Sequence, residues 1–378
     1  MPGSAAPTAG EGYPFDSEYY RGVLIEYLAI GALLLAFHFT GASLRLANGL
    51  QRTFGERWWL VHAVYLAVVL FGAAAVLFPL HVRRARRLAA TVPTTEGNPS
   101  VGLSLYGRAI GWNMFFSLVF FYTMYALLRW QSECWWLIAA AVYTVFAVLL
   151  PIGLAEGIIP HLYKPESLPD HALADRVRAL ANEVGIALEF VGRWTEEEVP
   201  ERPPVMLAGR GRFLFFDERT IGLLAPDERL ALAAREIGGA RRHHRLKRVL
   251  AGAACATAGF AVVHGGATIL IGRGSSASVM GVRDIAAFPL TALCVLIASA
   301  IAQTLYRAIL RAQVYDADAF AARRVGTGLS IRALQKLLGD PEPSPRWVEW
   351  LFRCEPSVRR RVHRLEQRVE SFNETLKS

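Results

Sequence analysis

Six stretches of the chain are apolar over about the 20 residues that a helix needs to cross a bilayer. They are Val23–Leu46, Trp58–Leu80, Ile110–Leu128, Trp135–Ile159, Val249–Ile271 and Ile285–Leu310. Paired tryptophans open the second and fourth, at Trp58 and Trp135, where interfacial anchors are expected. The pattern changes between the fourth and fifth stretches. In "LPDHALADRVRALANEVGI", Leu168, Leu173, Val177, Leu180 and Val184 recur at helical spacing, which predicts an amphipathic helix with Pro169 near its start. "IALEFVGRW" and "RFLFFD" read as short strands, joined by the charged, Pro-rich "RWTEEEVPERPP". "APDERLALAAREIGGARRHHRLKR" reads as a helix that Asp227 would cap and that runs straight into the fifth span. After the sixth span a long helix continues to the stop at Gly326 and Gly328. "GLSIRALQKLLGD" gives another helix, "PEPSPRW" a turn, and "PSVRRRVHRLEQRVESF" a basic C-terminal helix.

The fold class expected from this pattern is mainly α: a polytopic helical membrane protein with a cytoplasmic α+β domain. Residues 1–20 read as a disordered tail without the basic and apolar regions of a signal peptide, and 21–159 as a four-span bundle. Residues 160–248 form the soluble segment, 249–310 two further spans, and 311–378 a helical part that completes the soluble domain.

Composition agrees. The sequence is 53% hydrophobic, with mean hydropathy +0.29, too apolar for an ordinary soluble domain. The formal charge of +9 comes nearly all from arginine, but no zinc-finger, RRM or basic-region pattern points to nucleic acid, so no nucleic-acid partner is expected. Basic loops beside membrane spans account for the charge, with membrane lipid as the partner. The basic run His81–Arg87, taken as a loop after the second span, places that side and both termini in the cytoplasm. The Ala/Leu/Arg bias with few lysines suggests a GC-rich genome and a bacterial inner membrane. The four cysteines, Cys134, Cys255, Cys294 and Cys354, form no CxxC pair and imply neither a disulfide framework nor a thiolate metal site.

The segment "ALAAREIGGARRHHRLKR" carries the question of chemistry. A zinc-protease helix places two histidines four residues apart on one face, with a glutamate after the first to polarise the metal-bound water. Here Arg235 and Gly239 stand at the histidine positions, and Glu236 stands at the glutamate position.

Several blocks taken in order resemble the Ste24-type CAAX prenyl proteases, the membrane M48 metallopeptidases, over most of Trp135–Glu366. "GIIPHLYKPESLPDHALADRVRALANEVGI" is similar to the family's approach to its soluble part, and "LAGRGRFLFFDERTIGLL" to its strand with a Gly-x-Gly turn and a following Asp. Glu228 matches an acidic residue seven positions before the first metal histidine, and His244 is similar in place to a later histidine. "VYDADAFA" resembles the third-ligand segment, with Val314 for the ligand glutamate and Asp318 kept. "CEPSVRRR" resembles the C-terminal His-Pro…Arg segment, with Glu355 for the histidine, Pro356 kept and Arg361 for the arginine.

The resemblance implies a zincin-like metallopeptidase domain in which all three protein ligands are replaced, leaving a degenerate HExxH. No metal and no cofactor are then expected, because structural zinc sites draw about 10–16 kcal/mol from ligands absent here. The degenerate active-site positions are Arg235, Glu236, Gly239, Val314 and Asp318, and His244, Glu355 and Arg361 are candidates to line a cavity or bind substrate. Arg235 is expected to take over the zinc charge by pairing with Asp318, Glu236 or both. The function expected first is that of a pseudoenzyme holding or shielding a peptide or a prenylated or otherwise lipidated partner in an intramembrane cavity. His38, His62, Asn113, Glu156, His264 and Gln303 are candidates to line it. Two alternatives stay open. One is a non-proteolytic membrane enzyme using Arg235 as anion binder and Glu236 as acid/base. The other is a metalloendopeptidase with a site rebuilt from Glu236, His244, Asp316 and Asp318.

Overall fold

The computed structural model describes residues 17–91, 99–131, 133–149, 166–194, 203–208, 211–274, 281–338 and 345–377. They divide into two units, each discontinuous in sequence. One comprises the described residues of 17–144 and 253–304, and the other those of 145–252 and 305–377.

The first unit is helical throughout. α1 (Ser17–Phe39), α3 (Trp58–Thr91) and α4 (Pro99–Trp130) supply three apolar helices of spanning length. The greater part of α9 (His244–Gly274) and the first part of α10 (Phe288–Val325, preceded by a 3-10 turn at Ile285–Ala287) supply two more. Large apolar side chains such as Leu28, Phe71, Val76 and Phe116 remain exposed along these helices, as expected of surfaces facing lipid rather than water. The chain is therefore an integral membrane protein.

Several expectations need correction. The first span ends at Phe39 and does not reach Leu46. Gly41 adopts φ 71°, a left-handed conformation that breaks the helix, and α2 (Ala42–Phe54) starts after it. Residues 17–20 open α1 and are not part of a tail; residues 1–16 lie outside the described residues. The basic run His81–Arg87 belongs to α3, which continues to Thr91, and is not a loop. The fourth stretch forms α5 (Trp135–Tyr143) and a π-helical turn at Thr144–Leu149, and its remainder, Glu156 included, lies outside the described residues. Trp135 is a core residue and not an interfacial anchor, being buried with its indole N–H donated to His264 Nδ1 at 3.0 Å.

His62 is also internal and binds the Trp58 carbonyl through Nδ1 at 2.7 Å, whereas Asn113 and Gln303 are exposed and His38 is partly so. The five described polar positions therefore do not share one environment.

The second unit holds the mixed segment. α6 (His171–Glu183) begins at Asp170, whose carboxylate accepts from the Leu173 N–H at 2.9 Å. It buries Leu173, Val177 and Leu180 as the spacing predicts. The sheet has the order β1 (Glu166–Ser167), β2 (Phe190–Trp194), β4 (Phe213–Asp217), β3 (Val205–Ala208). β2 and β4 are parallel, with Phe190 opposite Phe213, and the flanking pairs are antiparallel. β2 and β4 are the two expected strands, and β1 and β3 are additional. One sheet face joins Val191, Val205, Leu214 and Phe216 to the core made with α6 and α8 (Pro226–Arg241). α7 (Glu218–Leu223) leads into α8; α11 (Thr327–Leu338), α12 (Arg346–Phe352) and α13 (Val358–Lys377) follow the end of α10.

Candidate functional site

α8 forms because Pro226 occupies its first turn, where the missing N–H costs nothing, and an Ala/Leu-rich face then meets the core. Its N-cap is Ala225, not Asp227. The open Ala225 N–H is bound by the Glu228 carboxylate at 2.9 Å, while Asp227 pairs outward with Arg176 at 2.7 Å. Lys336 on α11 approaches the same Glu228 carboxylate at 2.8 Å. Burial works to raise the Glu228 pKa, but the Lys336 and Ala225 hydrogen bonds outweigh it and hold the carboxyl below its usual range.

The helix does not run straight into the fifth span. His243 takes φ 55°, the one non-glycine residue with positive φ among those described, and α9 starts at His244. Gly238 lets α8 approach α10 closely: a Cβ there would lie 2.5 Å from the Phe320 ring.

Arg235 and Asp318 come together across these two helices. Arg235 Nε lies 3.4 Å from Asp318 Oδ1, and both side chains are largely buried. Asp318 carries a second guanidinium. Arg361, from the first turns of α13, donates through Nε to Oδ2 and through Nη2 to Oδ1, both at 2.7 Å. This is a bidentate fork, the arrangement in which arginine binds a carboxylate most firmly. The Arg361 side chain has no solvent exposure. Its remaining Nη1 has no hydrogen-bond partner, and the nearest carboxylate, the exposed Glu355, is 3.9 Å away.

Glu355 sits on a short connection fixed at both ends. Arg311 on α10 donates to the Glu349 and Arg353 carbonyls at 2.9 and 2.7 Å, and the buried Glu349 carboxylate accepts from the Ser357 N–H at 3.2 Å and from Arg360.

Glu236 makes no hydrogen bond or ion pair among the described residues. Burial raises its pKa above the usual carboxylate range, and Arg235 and then Arg248 only partly offset that. For Arg235 burial opposes the charge, but Asp318 first, then Glu236 and Glu355, hold its pKa above the ordinary value, so it stays ionised. Of the two acids expected to pair with Arg235, Asp318 does so by contact and Glu236 acts only through its charge.

The remaining candidates fall elsewhere. Val314 is buried on α10 one turn before Asp318, and Gly239 lies on α8 one turn after Arg235. His244 is buried and bonds Asp316 at 3.1 Å, and Arg242 occupies the other oxygen of that carboxylate. Glu236, His244, Asp316 and Asp318 therefore do not converge. Among the described residues no group of three or more His, Cys, Asp or Glu side chains is placed to hold a metal ion.

The sequence reading missed Arg242 and Phe320. A glycine inside a helix, as at Gly238, is the signal of close approach that could have flagged Phe320. Nothing local flags Arg242.

The chain is a helical membrane protein whose second unit carries a small mixed sheet. The family model of peptidase family M48 matches residues 169–369, more than half of the chain, and the chain belongs to that family. Among solved structures, the crystal structure of Ste24p from S. mikatae superposes with a TM-score of 0.55 at 15% identity, covering 90% of this chain and 99% of that one. At that identity the match speaks for a shared fold. No curated protein matches the chain.

Proposed function

We propose that this chain is a non-cleaving member of the M48 family, which keeps the Ste24-like scaffold and holds or shields a peptide or lipid-modified partner. The observation that carries the reading is the Arg235 guanidinium beside Asp318, at the position where the resemblance puts the first metal-binding histidine. Zinc takes thiolate, imidazole or carboxylate donors. Gly239 and Val314 offer none, and a guanidinium has no free lone pair and stays charged. The residues at these positions do not fit a divalent cation. Arg235 instead supplies a fixed positive charge of the sign a metal would have brought. It pins α8 to α10 through Asp318.

A second reading has one observation in its favour. Glu236, held toward its neutral form next to a charged Arg235, is a usable acid/base pair for non-hydrolytic chemistry. In both readings the protein belongs to a bacterial inner membrane, as the composition suggests.

The test is metal analysis of purified protein together with incubation of prenylated and unmodified peptides. Zinc well below one equivalent and no chelator-sensitive cleavage are expected. One equivalent of zinc, or cleavage abolished by a chelator, would end the reading. Glu236→Gln separates the two variants: partner retention should survive it, and an enzymatic activity should not.

A further inference from the structure

α10 carries no charged residue before Arg307, and the uncharged run Ile285–Tyr306 is long enough to cross a bilayer. Arg307 and Arg311, one turn apart, are the first charges it meets, as expected where a helix leaves the hydrocarbon. Both hold α12 against α10. Arg307 donates to the Leu351 carbonyl, and Arg311 Nη1 donates to the Glu349 and Arg353 carbonyls at 2.9 and 2.7 Å. α12 is therefore fixed at head-group level. It carries Trp347 and Trp350, and Trp350 is 59% exposed. Tryptophan concentrates at that level of a membrane. Leu305 and Ile309, on the approaching turns of α10, are exposed as well.

Between α10, α12 and the start of α13 lies an open cleft of about 450 Å³, a size typical of small-molecule sites. Arg311, Arg346 and Arg360 line it, with Trp347, Trp350 and one acid, Glu349. The buried Glu349 carboxylate is already used: it accepts from the Ser357 N–H and from Arg360, and so neutralises Arg360 only. Other acids are committed elsewhere. Glu355 faces Arg361 at 3.9 Å, and Asp316 is bound by Arg242 and His244. Arg311 meets two uncharged carbonyls through Nη1 alone, and Arg346 is exposed with no hydrogen bond or ion pair among the described residues. Two positive charges therefore remain uncompensated on the walls of one cleft. Arg346 lies one helical turn from Glu349, whose carbonyl Arg311 binds, so both side chains reach one ligand.

We propose that this cleft binds an anionic phospholipid, with its phosphate between Arg311 and Arg346 and its acyl chains along Leu305, Ile309 and Trp350. The charge selects an anion, and arginine suits phosphate. The exposed apolar side chains select a lipid, since a soluble anion would leave them in water. An anionic head group is preferred to a zwitterionic one, whose ammonium would face uncompensated guanidiniums. The assignment goes beyond the partner-holding reading and does not depend on it.

The experiment uses the full-length protein in dodecyl maltoside micelles. Tm is followed as phosphatidylglycerol or phosphatidylcholine is added at constant ionic strength, because a ligand of the native state raises Tm. Phosphatidylglycerol should bind at least about fivefold more tightly than phosphatidylcholine. R346M breaks no contact among the described residues and should weaken phosphatidylglycerol binding about fivefold, the share of one basic residue at an anionic surface. R346K should retain most of the affinity. R219M removes an arginine on α7 that is likewise exposed and unpaired among the described residues but does not line the cleft, and it should change nothing. Equal binding of the two lipids, an unchanged R346M, or equal losses in R346M and R219M would each overturn the site. Glycerol phosphate that matches the lipid shift would make it a soluble-anion site. An acidic peptide that binds more tightly than the lipid, and loses affinity in R346M, would make it a protein-docking site. Either result overturns the lipid assignment.

Discussion

Glu228 and Glu236 lie two turns apart on the same helix and have opposite surroundings. Glu228 is buried and fully engaged by the Ala225 N–H and Lys336, which hold its pKa down. Glu236 has no hydrogen bond among the described residues, and burial holds its pKa up. The first carboxylate fastens the start of α8 to α11. The second acts on Arg235 through its charge alone. A buried charge that is fully paired belongs to the architecture. One left unpaired is a cost that stability alone does not explain, and such groups concentrate at functional sites. The Asp318 cluster combines both kinds, with a satisfied fork and an unsatisfied Nη1 on the same arginine.

The largest effect should come from breaking the satisfied part of that cluster. Arg361→Met removes both fork hydrogen bonds and leaves Asp318 buried with Arg235 alone. Loss of one partner of a buried pair costs about 3–5 kcal/mol. Thermal unfolding in detergent should show it as a large drop in Tm. A loss under about 1 kcal/mol would mean that Arg235 compensates Asp318 unaided, and the fork would not be the structural half of the comparison.

The neighbouring glycines should differ next. Gly238→Ala drives a Cβ to 2.5 Å from the Phe320 ring, where overpacking costs about 1–3 kcal/mol. Gly239→Ala meets only His244 Nδ1, at 3.4 Å, and gains up to about 1 kcal/mol of helix propensity. Stability measured for both should split in sign. Equal destabilisation would show that Gly239 is also held by packing.

Much of this was legible from the residues, for reasons that can be separated. α6, β2 and β4 follow from periodicity and flanking Gly and Pro, because their side chains meet one core. The Arg235–Asp318 pair was readable because the family resemblance put the two positions at one site, where a buried guanidinium needs a carboxylate. The Arg361 fork was not, since "VRRRVHR" offers three adjacent arginines and only the packing of Val358 and Val362 against Leu334 turns one of them inward. The break at His243 escaped as well: nothing in "RRHHR" separates a continuing helix from one that stops and restarts. The early end of the first span depended on Gly41, which the apolar run on both sides concealed.

Glu228 gives a smaller, pH-dependent effect. Its folded pKa lies below the unfolded value, so its contribution is present above the ordinary carboxylate range and is lost as pH falls through the folded pKa. Glu228→Gln should therefore cost about 1–2 kcal/mol at neutral pH and progressively less in acid, as followed by Tm against pH. A pH-independent loss would assign the effect to packing.

Glu236 should behave in the reverse sense, with the smallest effect. Its folded pKa is raised, so the folded state is favoured below the ordinary carboxylate range, and that advantage disappears as pH rises through the folded pKa. Whatever charge the carboxylate carries at neutral pH is a burden only partly relieved by Arg235 and Arg248. Glu236→Gln should then stabilise the protein by about 1 kcal/mol or less at neutral pH, and the gain should vanish in acid. Destabilisation at neutral pH would reveal a partner for Glu236 and make it a second Glu228. Stabilisation with partner retention unchanged would leave a carboxylate kept at a cost on a helix where the other is fully used, with Arg235 and Arg248 as its counter-charges.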